Sequence, residues 1–308
     1  MYDLLKYHLG WSDQNGASLS APRNRNFQSF LALAVCEAIT GEYDKALPVA
    51  ASIELICNFI EVHGEVQGGR IDTDTDHPTI WWVWGPAQAI NAGDGLHALA
   101  RATMMRLSGY DVAEESVLEA MRSLDNTCLT LCEGQYMDLS FQDQLMVSST
   151  DYFTMVDRKA GSLSECSAKL GSVVTGASED ITSAFSGFGK NLGMAWQIKQ
   201  DIDDLWGRSG DGVTANNLLN KKKSLPIIYA LESGSTAIKR EIGSIYMKRV
   251  LEPSDVSRVL ELLNEVDAKT YATEEVISRV QLSKEQVLAS GISDNNLGDF
   301  IDKIIGLE

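Results

Sequence analysis

Residues Leu47–Val62 read LPVAASIELICNFIEV, and the spacing of their apolar side chains predicts a helix. Ile53, Ile56 and Ile60 recur at helical intervals and so share one face. Leu55, Phe59 and Val62 widen that face, which predicts burial on most sides. The segment continues as HGEVQGGRIDTDTDHPT (His63–Thr79), in which Gly64 and Gly68 stand one turn apart and Asp then alternates with Thr. Glycine weakens a helix interior, so the pair needs a reason other than helix formation.

The same helical period recurs in both directions from this stretch. It marks NFQSFLALAVCEAI (26–39), much of Glu115–Cys132, LGMAWQIKQDIDDLW (192–206) and SDVSRVLELLNEV (254–266). Pro253-Ser254-Asp255 reads as a helix start, with Ser254 or Asp255 capping the free N–H groups. No segment keeps the period-two alternation of a strand between hairpin turns. Six prolines and no low-complexity linker argue against subdivision, and Gly207–Gly212 is the clearest flexible loop. The expectation is an all-α protein with one domain over residues 1–308, its polar tail after about Leu282 loosely packed.

A formal net charge of −17 argues against non-specific nucleic-acid binding and against attraction of the whole chain to an anionic membrane. The N-terminal MYDLLKYHLGW lacks the basic and apolar regions of a signal peptide, and no apolar run approaches the roughly 20 residues of a membrane span. Five cysteines, an odd number without framework spacing, fit a reducing cytoplasm. Cys128 and Cys132 lie one turn apart with no second pair nearby, which reads as packing rather than metal binding.

Three passages carry a family resemblance: PTIWWVWGPAQAINAGDGLHALA (Pro78–Ala100), EGQYMDLSF (Glu133–Phe141), and GMAWQIKQDIDDLWG followed by NKKKSLPIIYAL within Gly193–Leu231. Together, and in this order, they resemble the trans-isoprenyl diphosphate synthase (polyprenyl synthetase) family. The resemblance implies a helical bundle around a deep central cavity, paired as a homodimer. It also implies two DDxxD motifs facing one another. In such a motif, positions i, i+1 and i+4 project to one side of a helix, where carboxylates share Mg²⁺ with an allylic diphosphate. The metals neutralise the departing diphosphate, and the double bond of isopentenyl diphosphate attacks the resulting cation.

Against that pattern the first motif falls on Gly64-Glu65-Val66-Gln67-Gly68, with glycine at both outer positions and an acid only at Glu65. The paired arginines that follow in the family fall within Thr73, Asp74 and Thr75, so positive charge has become negative. The family's Gly-Lys-Arg-x-Arg-Pro segment, which holds the second diphosphate, aligns with Asn24-Arg25-Asn26-Phe27-Gln28-Ser29. Arg25 keeps the lysine's charge, Asn26 and Gln28 replace arginines, and Cys57 stands where His or Gln assists.

The second motif becomes Gln200-Asp201-Ile202-Asp203-Asp204. The resemblance makes Asp201 and Asp204 the expected Mg²⁺ ligands, with Gln200 and Glu65 as weaker ones. It makes Lys159, Gln135, Gln197, Arg25 and Lys221 the expected diphosphate contacts, with Asp138 also in place. It assigns no catalytic residue. The run Asp72–Asp76 reads as a solvated loop, or as replacement metal ligands, or as a proton donor like the DxDD acid of another terpene-cyclase fold. His63 beside Glu61 and Glu65 reads as structural or as a metal corner, and Trp81, Trp82 and Trp84 read as packing.

Three functions remain open from the sequence. The first is a non-elongating enzyme on one allylic prenyl diphosphate, either terpene-cyclase-like or transferring the prenyl group to another acceptor. The second is a catalytically silent subunit that pairs with an active synthase as a heterodimer. The third is an ordinary farnesyl- or geranylgeranyl-type synthase.

Overall fold

A computed structural model describes residues 1–19, 26–68, 77–144, 146–207, 215–292 and 295–306. Among these residues the regular elements are helices, with one isolated bridge between Ser12 and Ser18, so the all-α expectation holds. The chain contacts resolve into two compact units.

The first unit comprises Met1–Asp125 and Ser167–Ser178. It holds α1 (Tyr2–His8), α2 (Phe27–Thr40), α3 (Leu47–Gly68), α4 (Ile80–Trp84), α5 (Pro86–Met104) and the first turns of α6 (Glu114–Gln142). The opening stretch of sequence is α3, and Ile53, Ile56 and Val62 on it are fully buried. α3 packs along α5, and Gly93 explains how closely. A Cβ at Gly93 would sit 2.3 Å from the His63 ring, so only glycine lets that imidazole in. The imidazole Nε2 lies 3.1 Å from the Ile90 carbonyl and 3.7 Å from Asp94, which settles His63 as a structural link to α5. Trp81 and Trp84 pack against a core of Leu5, Tyr7, Val62, Ile80 and Leu96 as expected, whereas Trp82, read as packing too, is 46% exposed. By length and composition, the helical stretch Asp44–Gly68 could cross a bilayer, contrary to the first reading, and 56% of its most apolar window is buried within the protein.

The second unit comprises Asn126–Cys166 and Glu179–Glu308. It takes the rest of α6, then α7 (Ser149–Val156), the start of α8 (Ser162–Val173), whose larger part belongs to the first unit, and α9 (Glu179–Trp206). Five further helices follow: α10 (Asn216–Leu219), α11 (Leu225–Ser233), α12 (Thr236–Tyr246), α13 (Pro253–Glu265) and α14 (Ala268–Ala289), with α15 (Asn295–Ile305) last. α13 does begin at Pro253, and the Asp255 carboxylate reaches back to accept from the Glu252 N–H at 3.0 Å. α9 lies along α14, and Gly193 on α9 is met by the turn before α8. A Cβ there would sit 2.2 Å from the Ala160 carbonyl oxygen.

The tail corrects the sequence reading. Ser283 and Val287 on α14 are buried, and α15 packs on α9 through Leu297, Ile301 and Ile305, each at most 3% exposed. The four-residue spacing of those three side chains makes one stripe, widened by the partly buried Phe300 and Ile304, which the polar residues before α15 concealed in the average.

Candidate functional site

The second unit assembles most of the expected contacts. α7 passes into α8 through a π-helical turn, Asp157–Gly161, that contains Lys159. Such turns are rare and collect at functional sites, because the extra residue turns a side chain off the regular helical face. α6 runs close beside this turn, and a Cβ at Gly134 would lie 2.7 Å from Lys159 Cγ. Lys159 Nζ donates to Asp138 Oδ2 at 2.5 Å, and Lys222 Nζ stands 4.0 Å from the same oxygen. Burial alone would raise the Asp138 carboxyl, but the two ammonium groups outweigh it and hold the group below the usual carboxylate range. Gln135 lies one turn before Asp138 on α6 and is half-buried.

A second buried acid lies on α9. Asp201 Oδ2 accepts from the Tyr152 hydroxyl at 2.7 Å and from the Leu225 N–H at 3.3 Å, while Oδ1 accepts from Gln197 at 3.2 Å. These bonds tie α7, α9 and α11 to one carboxylate. Burial pushes the Asp201 carboxyl up to about 6, against the pull of its three donors. Burial and the adjoining Asp201 carboxylate also raise the Tyr152 phenol well above its ordinary value.

The rest of the second motif is engaged as well. Lys199 holds Asp203 through both oxygens at 2.7 Å, and Asp204 accepts from the Asn217 N–H at 3.0 Å. Gln200 is exposed. Asp201 and Asp204, the expected ligands, therefore spend oxygen lone pairs on the protein's own donors. Among the described residues no three His, Cys, Asp or Glu side chains converge on a point a metal ion could occupy. As they stand, these donors do not fit a magnesium centre.

The lysine triplet needs one correction. Lys221 has a left-handed backbone (φ 57°), and its ammonium donates to the Lys248 carbonyl oxygen, away from Asp138. The lysine placed beside Lys159 is Lys222. Lys223 is buried over the Tyr246 ring, 4.3 Å from its centroid, and burial with Lys221 nearby brings its ammonium down to about 8. Tyr152 and the π-helical turn also escaped the sequence reading: a lone Tyr on an amphipathic helix signals only packing, and nothing in DRKAG announces a π turn.

The first unit differs. Glu65 is half-buried near the end of α3. A Cβ at Gly64 or Gly68 would meet no described atom within 4 Å beyond its own helix, so neither glycine is required by packing. At the start of α2, Glu54 accepts from the Asn26 N–H at 3.2 Å and the Ser29 hydroxyl at 2.8 Å, and Asn58 donates to the same carboxylate. Asn26 and Ser29 line a cavity of about 710 Å³ together with Leu9, Trp11, Phe30, Leu33, Asn58, Glu61 and neighbouring side chains of α3. Among the described residues that line it, the charged ones are two carboxylates, Glu54 and Glu61. Gln28 is buried, with its carbonyl taken by the Ser167 hydroxyl. Cys57 is buried too; burial first, then Glu54 and Glu61, raise its thiol well above the ordinary value, so it stays neutral. Arg25 and the run Asp72–Asp76 lie outside the described residues.

Comparison with known proteins agrees with this architecture. The polyprenyl synthetase family model matches residues 12–263. The geranylgeranyl diphosphate synthase of Mycobacterium tuberculosis is 35% identical, over 83% of this chain and 73% of its own. The (2E,6E)-farnesyl diphosphate synthase of Mycobacterium bovis is 28% identical, over 98% of this chain and 84% of its own. Among solved structures, polyprenyl synthetase from Streptomyces coelicolor superposes with a TM-score of 0.86 at 26% identity, covering 99% of this chain and 90% of that one. Geranylgeranyl pyrophosphate synthetase from Pyrococcus horikoshii gives 0.82 at 28% identity, covering 91% and 85%. The chain belongs to the polyprenyl synthetase family.

Proposed function

We propose that this chain binds one allylic prenyl diphosphate at Lys159 and Lys222 and acts on it without joining it to isopentenyl diphosphate. The observation that carries the reading is the cavity beside Asn26 and Ser29, where family resemblance expects cations for a second diphosphate. Among the described lining residues the charges are those of Glu54 and Glu61, which favour repulsion of a second diphosphate. The flank of Gly64 and Gly68, free of other described atoms within 4 Å, supports the same reading, since glycine there is not required by the packing of the described residues.

In this reading the two ammonium groups pair with the diphosphate oxygens, and Asp138 holds Lys159 in place until the ligand arrives. Heterolysis of the allylic C–O bond leaves the electron pair on the diphosphate, beside Lys159 and Lys222. The cation is then quenched by a double bond of the same chain, or by an acceptor, with loss of a proton. The buried Tyr152–Asp201–Leu225 bonds fix the helices that carry this cluster. Magnesium has no assigned role.

The printed names of the relatives favour a second reading, ordinary elongation to a farnesyl or geranylgeranyl product. Incubation with isopentenyl and allylic diphosphates, separately and together, with and without Mg²⁺, decides between them. Consumption of the allylic substrate alone, yielding hydrocarbon or alcohol, is expected. A longer prenyl diphosphate from the mixture would overturn the proposal. Inertness in every arm, relieved by adding an active synthase, would instead identify a silent partner in a heterodimer. The variant Gly64→Asp with Gly68→Asp has room for both side chains, and elongation gained there would locate the missing step.

A further inference from the structure

The turn between α12 and α13 reads Met247-Lys248-Arg249-Val250, and all four residues are exposed, Met247 by 76% and Val250 by 73%. Leu219, 41% exposed, ends α10, and the loop that follows it is fastened to the turn by the bond from Lys221 to the Lys248 carbonyl. Arg240 and Ser244 precede Met247 at helical spacing on α12, so a cation continues the same exposed face. The chain is strongly acidic in total, yet between Lys221 and Arg249 it carries seven basic residues and two acidic ones. Both local acids are placed elsewhere: Glu241 is held by Arg258, and Glu232 accepts from Ser149. Near the turn, Asp255 is capped by Lys248 at 2.6 Å, which leaves Arg249 and Arg240 as the cations with no such partner among the bonds seen, and Glu252 as the exposed acid.

We propose that this turn docks the protein on an anionic lipid surface, with Met247 and Val250 entering the headgroup region and Arg249 and Arg240 facing lipid phosphates. A protein partner fits less well. Four turn residues expose far less than the roughly 800 Å² per side of a stable interface, whereas a bilayer accepts small apolar insertions wherever charge holds them. Each cation beside an anionic leaflet strengthens binding about fivefold, and the acidic remainder of the chain is repelled, so the contact is weak, oriented and sensitive to salt. The inference stands apart from the proposed chemistry, since it uses none of the residues assigned to the diphosphate.

The test is flotation of the full chain with phosphatidylcholine vesicles containing roughly a third phosphatidylglycerol, at low and high salt. Binding is expected at low salt only, none to pure phosphatidylcholine, and at least a tenfold loss in Met247→Ser with Val250→Ser and Arg249→Glu. These side chains are exposed, and an unchanged melting temperature confirms that the variant folds. Absence of flotation in the wild type, flotation indifferent to salt, or a variant that floats as well as the wild type would each overturn the proposal. So would a change in oligomeric state caused by the variant, which would assign the turn to protein contact.

Discussion

The end of α3 and the α7–α9 region began, on the family resemblance, as two halves of one kind of site. They differ in which side chains stand there and what engages them. At Gly64 and Gly68 no side chain stands, and no described atom outside the helix lies within 4 Å of a Cβ placed there. On α9 the carboxylates remain but are absorbed into the protein: Asp201 by Tyr152, Leu225 and Gln197, Asp203 by Lys199, and Asp204 by Asn217. The difference teaches that which side chains stand at a motif is read from sequence, whereas which donors engage them is read only from the fold.

The largest effect expected from this contrast is at Lys159→Ala. It leaves Asp138 buried beside a more distant Lys222, and uncompensated buried charge costs about 3 kcal/mol or more. Denaturant unfolding should report that loss, and calorimetry with geranylgeranyl diphosphate should show binding weakened at least tenfold. Binding unchanged by the substitution would move the diphosphate elsewhere.

Next comes a pH contrast between the two buried acids. Asp201 titrates near 6 in the fold against 3.8 ordinarily, so the folded state holds its proton more tightly than the unfolded chain. Its contribution is complete below about pH 4 and is lost as pH rises through 6, a cost of about 3 kcal/mol at neutrality. Asp201→Asn should therefore raise the melting temperature at pH 8, do little at pH 4, and erase the inflection near 6. Asp138 has the opposite sign: its lowered value means stability present above the ordinary carboxylate range and lost on acidification. An Asp201→Asn protein that melts lower at pH 8 would show that the charged form is the one the site stabilises.

A smaller effect is expected at Tyr152→Phe, which removes one donor from Asp201 and should cost about 1–3 kcal/mol above pH 6 and less below it. The smallest belongs to the other region. Gly64→Ala adds a methyl into open space in the interior of α3 and should stabilise the protein by about 0.5–1 kcal/mol in urea unfolding. Destabilisation there would mean that the flank of α3 is occupied after all.

Much of the fold was legible because helical periodicity is local. Ile53, Ile56 and Ile60 had to share a face whatever lay opposite, and the first two are fully buried and the third partly so. The polar tail misled because average polarity hides a stripe such as Leu297, Ile301 and Ile305. In the site, residue type marked Lys159, Asp138 and the lysine triplet as candidates, and only the fold says which lysine of the triplet lies near Asp138. Choosing Lys222 over Lys221 depends on a single left-handed backbone angle at Lys221, which turns its ammonium to Lys248.

The order of residues by itself determined the all-α class, the family and the presence of glycine at positions 64 and 68, since each is a matter of which side chains exist and how they repeat. Only the tertiary structure decided that Asp201 is a buried acceptor, that Asp138 is the anion between two lysines, and that Glu54 and Glu61 share one cavity. The reason is that a carboxylate's chemistry is set by its water and its donors, and those come from helices far apart in the chain.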